Sequence, residues 1–246
     1  MDRLIYTAMT GASAAANRQA VLANNLANVS TNGFRAELST YRAVPVRGDG
    51  ATTRVMALEA TSGFSDIPGS PQRTGRAMDA MTTGNSWFGV QGLDGTEAYT
   101  RNGSFEIASD GTLKTNNGLT VLSDGSSPIT VPAGAEVTLG SDGTLSAKVG
   151  NQPSTGIGRL KLATPAAEDP LQRGTDGLFR TTSGDPMPND NVARLQLGVI
   201  EGSNVNAIET MVGMIQAARQ FESQTKLMTT AEADDRAAAQ LLSMQG

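Results

Sequence analysis

Small and apolar residues recur at alternating three- and four-residue steps through the N-terminal part of the chain. The positions that share this spacing are Ile5, Ala8, Ala12, Ala15, Leu22 and Leu26, with Gln19 as the one polar break. Such a repeat is typical of a helix that packs through a narrow seam. It predicts a helix from about residue 3 to residue 28, with an alanine-rich seam that lets another helix approach closely.

A second repeat of the same kind ends the chain. Its positions are Ala207, Met211, Met214, Ala218, Phe221, Thr225 and Met228. Because no proline follows Pro188, the pattern predicts a helix from about residue 206 to residue 244, capped by Ser203 or Asn204. Spacing alone leaves two interpretations open. The two helices pack on each other within one chain, or their thin seams need neighbouring copies as well.

Between the two repeats, the pattern changes to that of turns and short strands. Residues 45–71 are rich in glycine, serine, threonine and proline, which predicts an extended connector. The Arg-Gly-Asp tripeptide at residues 47–49 is interpreted as a turn in this connector rather than as an adhesion motif.

Further along, Asn-Gly and Asp-Gly pairs separate short β-prone segments, which predicts an antiparallel meander. The predicted strands are residues 97–101, 104–108, 112–116 and 119–122, with later candidates at 159–163 and 194–200. The separating pairs are Asn102-Gly103, Asp110-Gly111 and Asn117-Gly118. The pentapeptide at residues 109–113 recurs at 141–145, which indicates reuse of one hairpin turn.

These elements predict a mixed α and β fold, with long N- and C-terminal helices and a central, mainly antiparallel β domain. The expected domains are residues 1–35 for the N-terminal helix, 36–79 for the extended connector, 80–200 for the β-rich domain and 201–246 for the C-terminal helix.

Composition excludes several classes of function. Cysteine and histidine are both absent, so the chain has no disulfide and no thiolate or imidazole metal ligand. The net charge of -5, without a basic patch, argues against nucleic-acid binding. No apolar run approaches the roughly 20 residues of a membrane span, and the N-terminal repeat lacks the features of a cleaved Sec signal.

The sequence also contains few candidate motifs for catalysis or for cofactor or metal binding. Gly156 and Gly158 lack the third glycine of a dinucleotide site, and the Asp-Gly turns lack the distant ligand of a calcium loop. We therefore expect no enzymatic activity, no cofactor and no small-molecule substrate.

Several motifs occur in the order found in one known family. They are residues 25–28 (NLAN) with 31–35 (TNGFR), 74–76 (TGR), 79–81 (DAM), 87–90 (WFGV), 99–105 (YTRNGSF), and 202–206 (GSNVN) with Met211, Arg219, Phe221 and Glu222. Together they resemble the bacterial flagellar rod and hook proteins, over both ends and most of the middle of the chain. The first nine residues and the length resemble a proximal rod protein more than the distal rod protein.

The resemblance implies a structural subunit of the flagellar drive shaft. Its terminal helices would form the coiled-coil inner layer of a helical tube, and its β domain an outer layer. Implied partners are copies of itself, other proximal rod proteins, the distal rod protein and the flagellar type III export apparatus. The implied location is the basal body, spanning the periplasm, with export that uses no cleaved Sec signal. The alternatives are the distal rod protein of the same family, a secreted fibre or adhesin subunit, and a wall-cutting enzyme.

Seam positions and signature positions together predict the surface through which subunits assemble. The predicted interface residues are Ile5, Ala12, Leu22, Asn25, Leu26, Asn28, Phe34, Met211, Met214, Ala218, Phe221 and Met228. A buried asparagine must find hydrogen-bond partners, so Asn25 and Asn28 are expected to set the register between packed helices.

Overall fold

The computed structural model describes residues 2–45 and 55–243. Two long helices stand at the ends of the chain, α1 (Asp2–Ala27) and α2 (Ala207–Ser243), within a residue or two of the predicted bounds. The predicted helix end at residue 244 and the Arg-Gly-Asp turn at 47–49 lie outside the described residues. Over the described ranges, neither helix is apolar enough along its length to cross a membrane.

Short strands fill the chain between the helices, and every strand pair is antiparallel. In chain order they are β1 (Glu37–Pro45), β2 (Val55–Phe64), β3 (Pro71–Arg73), β4 (Ala80–Thr82), β5 (Trp87–Gln91), β6 (Glu97–Thr100), β7 (Phe105–Ile107), β8 (Leu113–Thr115), β9 (Thr120–Val121), β10 (Ala135–Leu139), β11 (Thr144–Val149), β12 (Thr155–Arg159), β13 (Leu162–Ala163), β14 (Leu171–Arg173), β15 (Phe179–Thr181), β16 (Leu195–Leu197) and β17 (Val199–Glu201). The mixed α and β class predicted from sequence is confirmed.

The chain divides into two compact units that interleave along the sequence. The helix unit comprises Met1–Val29, Ala36–Ser65 and Val205–Gly246, and the β unit comprises Ser30–Arg35 and Asp66–Asn204. Contacts therefore place β1 and β2 with the helices, whereas the sequence pattern set this region apart as a connector. The six residues Ser30–Arg35 belong to the β unit although the chain on either side of them does not.

Within the helix unit, α1 and α2 pack antiparallel. Gly11 lies against the Gln224 side chain, and Leu22 lies against Gly213, so the same number of residues separates the two contacts on each helix. The two glycines matter because an added Cβ would come within 3.0 Å of Gln224 or 3.2 Å of Leu22. Small residues at these crossings let the helix backbones approach closely, as the alanine-rich seam suggested.

The cap of α2 differs from the prediction. The Asn206 side-chain oxygen accepts hydrogen bonds from the backbone N–H groups of Ile208 and Glu209, at 3.1 and 3.3 Å. The predicted cap residue Asn204 instead donates its side-chain amide to the carbonyl of Ile67, at 2.8 Å. Ser203 and Asn204 also lie in the β unit, before the helix begins. The Asn204 side chain thus bonds to the β unit instead of capping α2.

The region predicted as an extended connector contains a long hairpin. β1 and β2 pair from Glu37 with Phe64 to Pro45 with Val55, with one bulge between Thr40 and Tyr41. Its strands carry many threonines, serines and alanines, so the alternation of apolar and polar residues is weak. That weak alternation is why the pattern failed to predict the hairpin.

The β unit is built around one branched sheet. Seven of its strands follow the order β14-β15-β6-β5-β9-β8-β7, and β13 adds to β5. A three-stranded sheet, β10-β11-β12, and two strand pairs, β16-β4 and β17-β3, complete the unit. Its core is apolar and fully buried at Phe88, Phe105, Leu113, Leu145 and Leu162.

The predicted hairpin turns are confirmed at two of the three places. Gly111 and Gly118 have φ of 79° and 82°, and they close the β7–β8 and β8–β9 turns. The third pair, Asn102-Gly103, was wrongly predicted as a turn between paired strands. β6 pairs with β5 and β15 instead of β7, and a Cβ on Gly103 would lie 1.7 Å from the Ala80 carbonyl oxygen. This glycine serves a close crossing of two chain segments.

Candidate assembly surface and signature segment

The first half of α2 presents an apolar face to solvent. The residues of this face, called the α2 face below, are Ile208, Met211, Val212 and Ile215. Ile208 is 76% exposed and Met211 50%, which is unusual for residues of this type three or four positions apart on one helix. The opposite side of α2 carries Gly213 and the fully buried Ala217, which point toward the interior of the helix unit.

A face made mostly of small residues is exposed on α1. The residues of this face, called the α1 alanine face, are Met9, Ala16, Ala20 and Ala23. It lies beside the seam of α1, where Ala8, Ala12 and Ala15 are buried. Each helix therefore uses one side within the chain and leaves a second, weakly polar side uncovered.

The structure distributes the predicted interface residues over three environments. Those buried or half-buried within the helix unit are Ile5, Ala12, Leu22, Asn25, Leu26, Asn28, Met214, Ala218 and Met228. Met211 and Phe221 are exposed, at 50% and 39%. Phe34 is buried in the β unit, at 8% exposure, and in this conformation offers little surface to another chain.

The two signature asparagines have different partners. The Asn25 side chain is buried and donates to the carbonyl oxygen of Glu37 at 2.9 Å, while its oxygen accepts from the Glu37 N–H at 2.8 Å. Asn28 donates its side-chain amide to the carbonyl oxygen of Asn24 at 2.9 Å, one turn back in α1. Asn25 therefore holds the start of β1, and Asn28 bonds to the end of α1.

The end of the signature, Ser30–Arg35, docks on the β unit. The Gly33 N–H donates to the carbonyl oxygen of Glu201 at 2.7 Å, and the guanidinium of Arg173 lies 4.4 Å from the centre of the Phe34 ring. Gly33 has a φ of 70°, and a Cβ there would lie 2.4 Å from the Arg101 backbone. Asn32 and Gly33 form a turn, and the glycine also permits a close backbone crossing.

A buried charge cluster lies beside this segment. Arg35 Nη2 is 2.7 Å from Glu201 Oε1, and Arg101 Nε is 3.6 Å from Glu201 Oε2, with all three side chains at most 2% exposed. Both guanidiniums lie near the Trp87 ring, at 5.9 Å for Arg35 and 5.2 Å for Arg101.

Burial sets the titration of the two arginines. Burial lowers the pKa of Arg101 to about 10, against the opposing attraction of Glu201. The pKa of Arg35 is lowered for the same reason, again against the attraction of Glu201. Both remain cations near neutral pH, so Glu201 faces two positive charges.

Arg101 also donates hydrogen bonds to neighbouring segments of the β unit. Its Nη1 donates to the hydroxyl of Thr82 and to the carbonyl of Ser86, and its Nη2 donates to the carbonyl of Gly84 at 2.8 Å. Arg101 lies in the sequence motif at residues 99–105 but was not predicted to be a site residue, and neither was Glu201. The useful signal was the position of Glu201 directly before the C-terminal motif at residues 202–206. In the parts of the chain that the structure describes, no group of three acidic side chains is placed to hold a metal ion.

Family models match three parts of the chain in the order of these features. The flagella basal body rod protein model matches residues 5–35, which contain most of α1 and the signature. The flagellar hook protein FlgE/F/G D1 domain model matches residues 81–147 in the β unit. The flagellar basal body rod FlgEFG protein C-terminal model matches residues 196–241, which include Glu201 and most of α2.

Whole proteins of the same kind are similar along the full chain. The flagellar basal-body rod protein FlgF of Salmonella typhimurium (strain LT2) is 45% identical over 99% of this chain and 100% of that protein. FlgF of Escherichia coli (strain K12) is 44% identical with the same coverage. The rod protein FlgG of Buchnera aphidicola subsp. Baizongia pistaciae is 32% identical over 93% of this chain and 95% of its own length. The chain therefore belongs to the FlgF family of flagellar basal-body rod proteins.

Proposed function

We propose that this protein is a structural subunit of the flagellar basal-body rod, located in the basal body and assembled with other rod components. Full-length similarity to rod proteins named FlgF supports this role. The structural observation that carries it is the uncovered apolar α2 face at Ile208, Met211, Val212 and Ile215. Such a face on a helix is expected where another protein surface covers it.

The subunits are proposed to contact one another by unlike faces. The α2 face has bulky side chains, and the α1 alanine face has three alanines beside Met9, so the first can pack against these alanines on a neighbouring copy. A contact between two different faces is heterologous, and repeated without ring closure it generates a helical assembly. The terminal helices would then form a coiled-coil layer of a tube, and torque would pass between subunits through side-by-side helices.

Other proposed partners follow from the family rather than from a site. They are other proximal rod proteins, the distal rod protein and the flagellar type III export apparatus. The rod would span the periplasm. The chain is proposed to act through assembly, without catalysis and without a cofactor.

The test compares two positions on α2 that differ in environment. Met211→Asp places a charge in the apolar α2 face, whereas Gln216→Asp places the same charge at an exposed polar position on the same helix. If the α2 face is buried between subunits, Met211→Asp should lower the amount of this protein in purified basal bodies to below about a tenth. Gln216→Asp should leave it unchanged.

Both variants are to be expressed at wild-type levels in a strain without its own copy, with motility scored alongside. Normal incorporation of the Met211→Asp protein would contradict the proposed contact. Equal loss with both variants would show that added charge anywhere on α2 is harmful, and would also contradict it.

A further inference from the structure

One carboxylate in the β unit joins segments that are far apart in sequence. Glu201 Oε1 lies 2.7 Å from Arg35 Nη2 and accepts a hydrogen bond from the Gly69 N–H at 3.0 Å. The carbonyl oxygen of Glu201 accepts from the Gly33 N–H at 2.7 Å. In the β17–β3 pair, Glu201 also stands opposite Pro71. Glu201 therefore contacts the signature segment and the start of the following β-unit segment.

These are the segments through which the chain leaves the β unit. The unit comprises Ser30–Arg35 and Asp66–Asn204, so the chain crosses its boundary at four points. Arg35 Nη1 donates to the carbonyl of Asp66 at 2.7 Å, and Asn204 donates its backbone N–H to the carbonyl of Phe34 at 3.3 Å. The Asn204 side chain donates to the carbonyl of Ile67 at 2.8 Å. The boundary points at Arg35, Asp66 and Asn204 are thus linked to one another by hydrogen bonds within the β unit.

Buried ion pairs favour one docking position of the segment Ser30–Arg35 on the β unit. The side chains of Arg35, Arg101 and Glu201 are almost fully shielded from water. Buried ion pairs add little net stability, but removing one partner is costly because the other charge is left buried and uncompensated. The segment Ser30–Arg35 gains its charged contact only when Arg35 reaches Glu201, so any other docking position leaves the carboxylate short of one cation.

We propose that Glu201 is a positioning residue that clamps Ser30–Arg35 onto the β unit, and that this clamp holds whether or not α1 and α2 are packed together. The contacts described for Gly33, Phe34 and Arg35 lie within the β unit, so opening the helix pair removes none of them. The N-terminal helical segment would then always start from one tether point on the β unit. This inference does not depend on the rod function.

Limited trypsin digestion of the full-length protein tests the independence of the clamp, because Arg35 is itself a cleavage site. Ala217→Asp places a charge in the fully buried helix seam and should release the helices. Cleavage after Arg18 of α1 and Arg219 of α2 should then rise, as mapped by mass spectrometry, while cleavage after Arg35 stays at the wild-type rate. Simultaneous acceleration at all three sites would overturn the proposal.

A second pair of variants tests Glu201 itself. Glu201→Gln keeps the side-chain shape but leaves two buried guanidiniums without their counter-charge. Cleavage after Arg35 should rise by about 10- to 100-fold, because proteolysis follows the population of the open state. If this variant fails to fold, Arg35→Met is used, because it leaves Glu201 paired with Arg101. Amide exchange at Gly33 should then rise about tenfold or more.

Two readouts separate a clamp from a general loss of stability. Trp87 is the one tryptophan of the chain and lies within 6 Å of both guanidiniums, so its emission should shift in Glu201→Gln and Arg35→Met at temperatures where the β unit is folded. Val137→Ala, a core substitution in β10, serves as a control and should shift the melting temperature without changing native emission or Arg35 cleavage. Wild-type protection of Arg35 in Glu201→Gln, or wild-type amide exchange of Gly33 in Arg35→Met, would overturn the proposal.

Discussion

The side chain of Asn25 binds both backbone groups of Glu37, donating to its carbonyl oxygen at 2.9 Å and accepting from its N–H at 2.8 Å. The asparagine amide here matches a peptide group and stands in for a strand partner at the first residue of β1. Between these two residues the chain leaves the helix unit for Ser30–Arg35 and then returns. The pair therefore ties together the two ends of that excursion.

Replacing Asn25 by alanine should destabilise the helix unit. Two backbone groups of Glu37 would lose their hydrogen bonds with the Asn25 side chain, at a cost of about 1–3 kcal/mol in the free energy of unfolding. Chemical denaturation followed by circular dichroism at helical wavelengths measures this change. Asn24→Ala, at an exposed position one residue away, is the control and should change the value by less than about 0.5 kcal/mol.

Asn28→Ala is expected to affect assembly more than the stability of the β unit. Its side-chain amide bonds to the Asn24 carbonyl at the end of α1, so the β unit should melt at the wild-type temperature. Motility and the amount of protein in basal bodies should fall, because the signature asparagine is proposed to set register between packed helices. Normal motility at a normal protein level would contradict this role.

Gly33→Ala should strongly destabilise the β unit. The new Cβ would lie 2.4 Å from the Arg101 carbonyl carbon, in a backbone conformation with φ of 70°. Strain and clash together should cost about 2–5 kcal/mol. Gly118→Ala is the matched control, because Gly118 has a φ of 82° but open space around it. It should cost only about 1–2 kcal/mol. Equal melting temperatures for the two variants would rule out the close crossing at Gly33.

Two Asp-Gly turns should make the β unit less stable in acid. The Thr112 hydroxyl and N–H hold the pKa of Asp110 below its usual range, and the Thr144 N–H and hydroxyl do the same for the pKa of Asp142. A depressed folded-state pKa stabilises the fold above the unfolded value of about 3.9 and loses that contribution as pH falls through the folded pKa. The free energy of unfolding should therefore drop below about pH 4.

The Asp110→Asn and Asp142→Asn double variant should flatten this acid limb. Urea unfolding at a series of pH values from 2 to 7 provides the measurement. The Thr112→Val and Thr144→Val double variant keeps both carboxylates but removes one hydrogen-bond donor from each. Its loss of unfolding free energy in acid should therefore be smaller than that of the wild type and larger than that of the aspartate double variant. An unchanged slope in the aspartate double variant would show that other groups set the acid response.

Local spacing was sufficient to predict the long helices and several of the turns. The three- and four-residue steps through Ala8, Ala12 and Ala15 identified the face of α1 that is buried, because helical periodicity maps sequence directly onto a side of the helix. Asp110-Gly111 and Asn117-Gly118 predicted turns because glycine tolerates a positive φ whatever its distant contacts are. Local features of this kind can be predicted without knowing the contacts between distant parts of the chain.

The α2 pattern shows where such spacing stops being sufficient. The repeat at Met211, Met214 and Phe221 suggested one seam, yet Met211 and Phe221 are exposed while Ala217 is fully buried. Apolar and small residues surround this helix on more than one side, so periodicity left its inward direction open. The antiparallel contact with α1, through Gly213 and Leu22, decided it.

Long-range pairing decided the rest of the fold. Asn102-Gly103 has the composition of a hairpin turn, but β6 pairs with β5 and β15. Gly103 instead lies where the backbone passes close to Ala80. Arg35 and Glu201 are separated by most of the chain, and neither residue type is expected in a core unless it is paired. Their ion pair exists only because folding brings the exits of the β unit together, and such proximity has no local signal in a sequence.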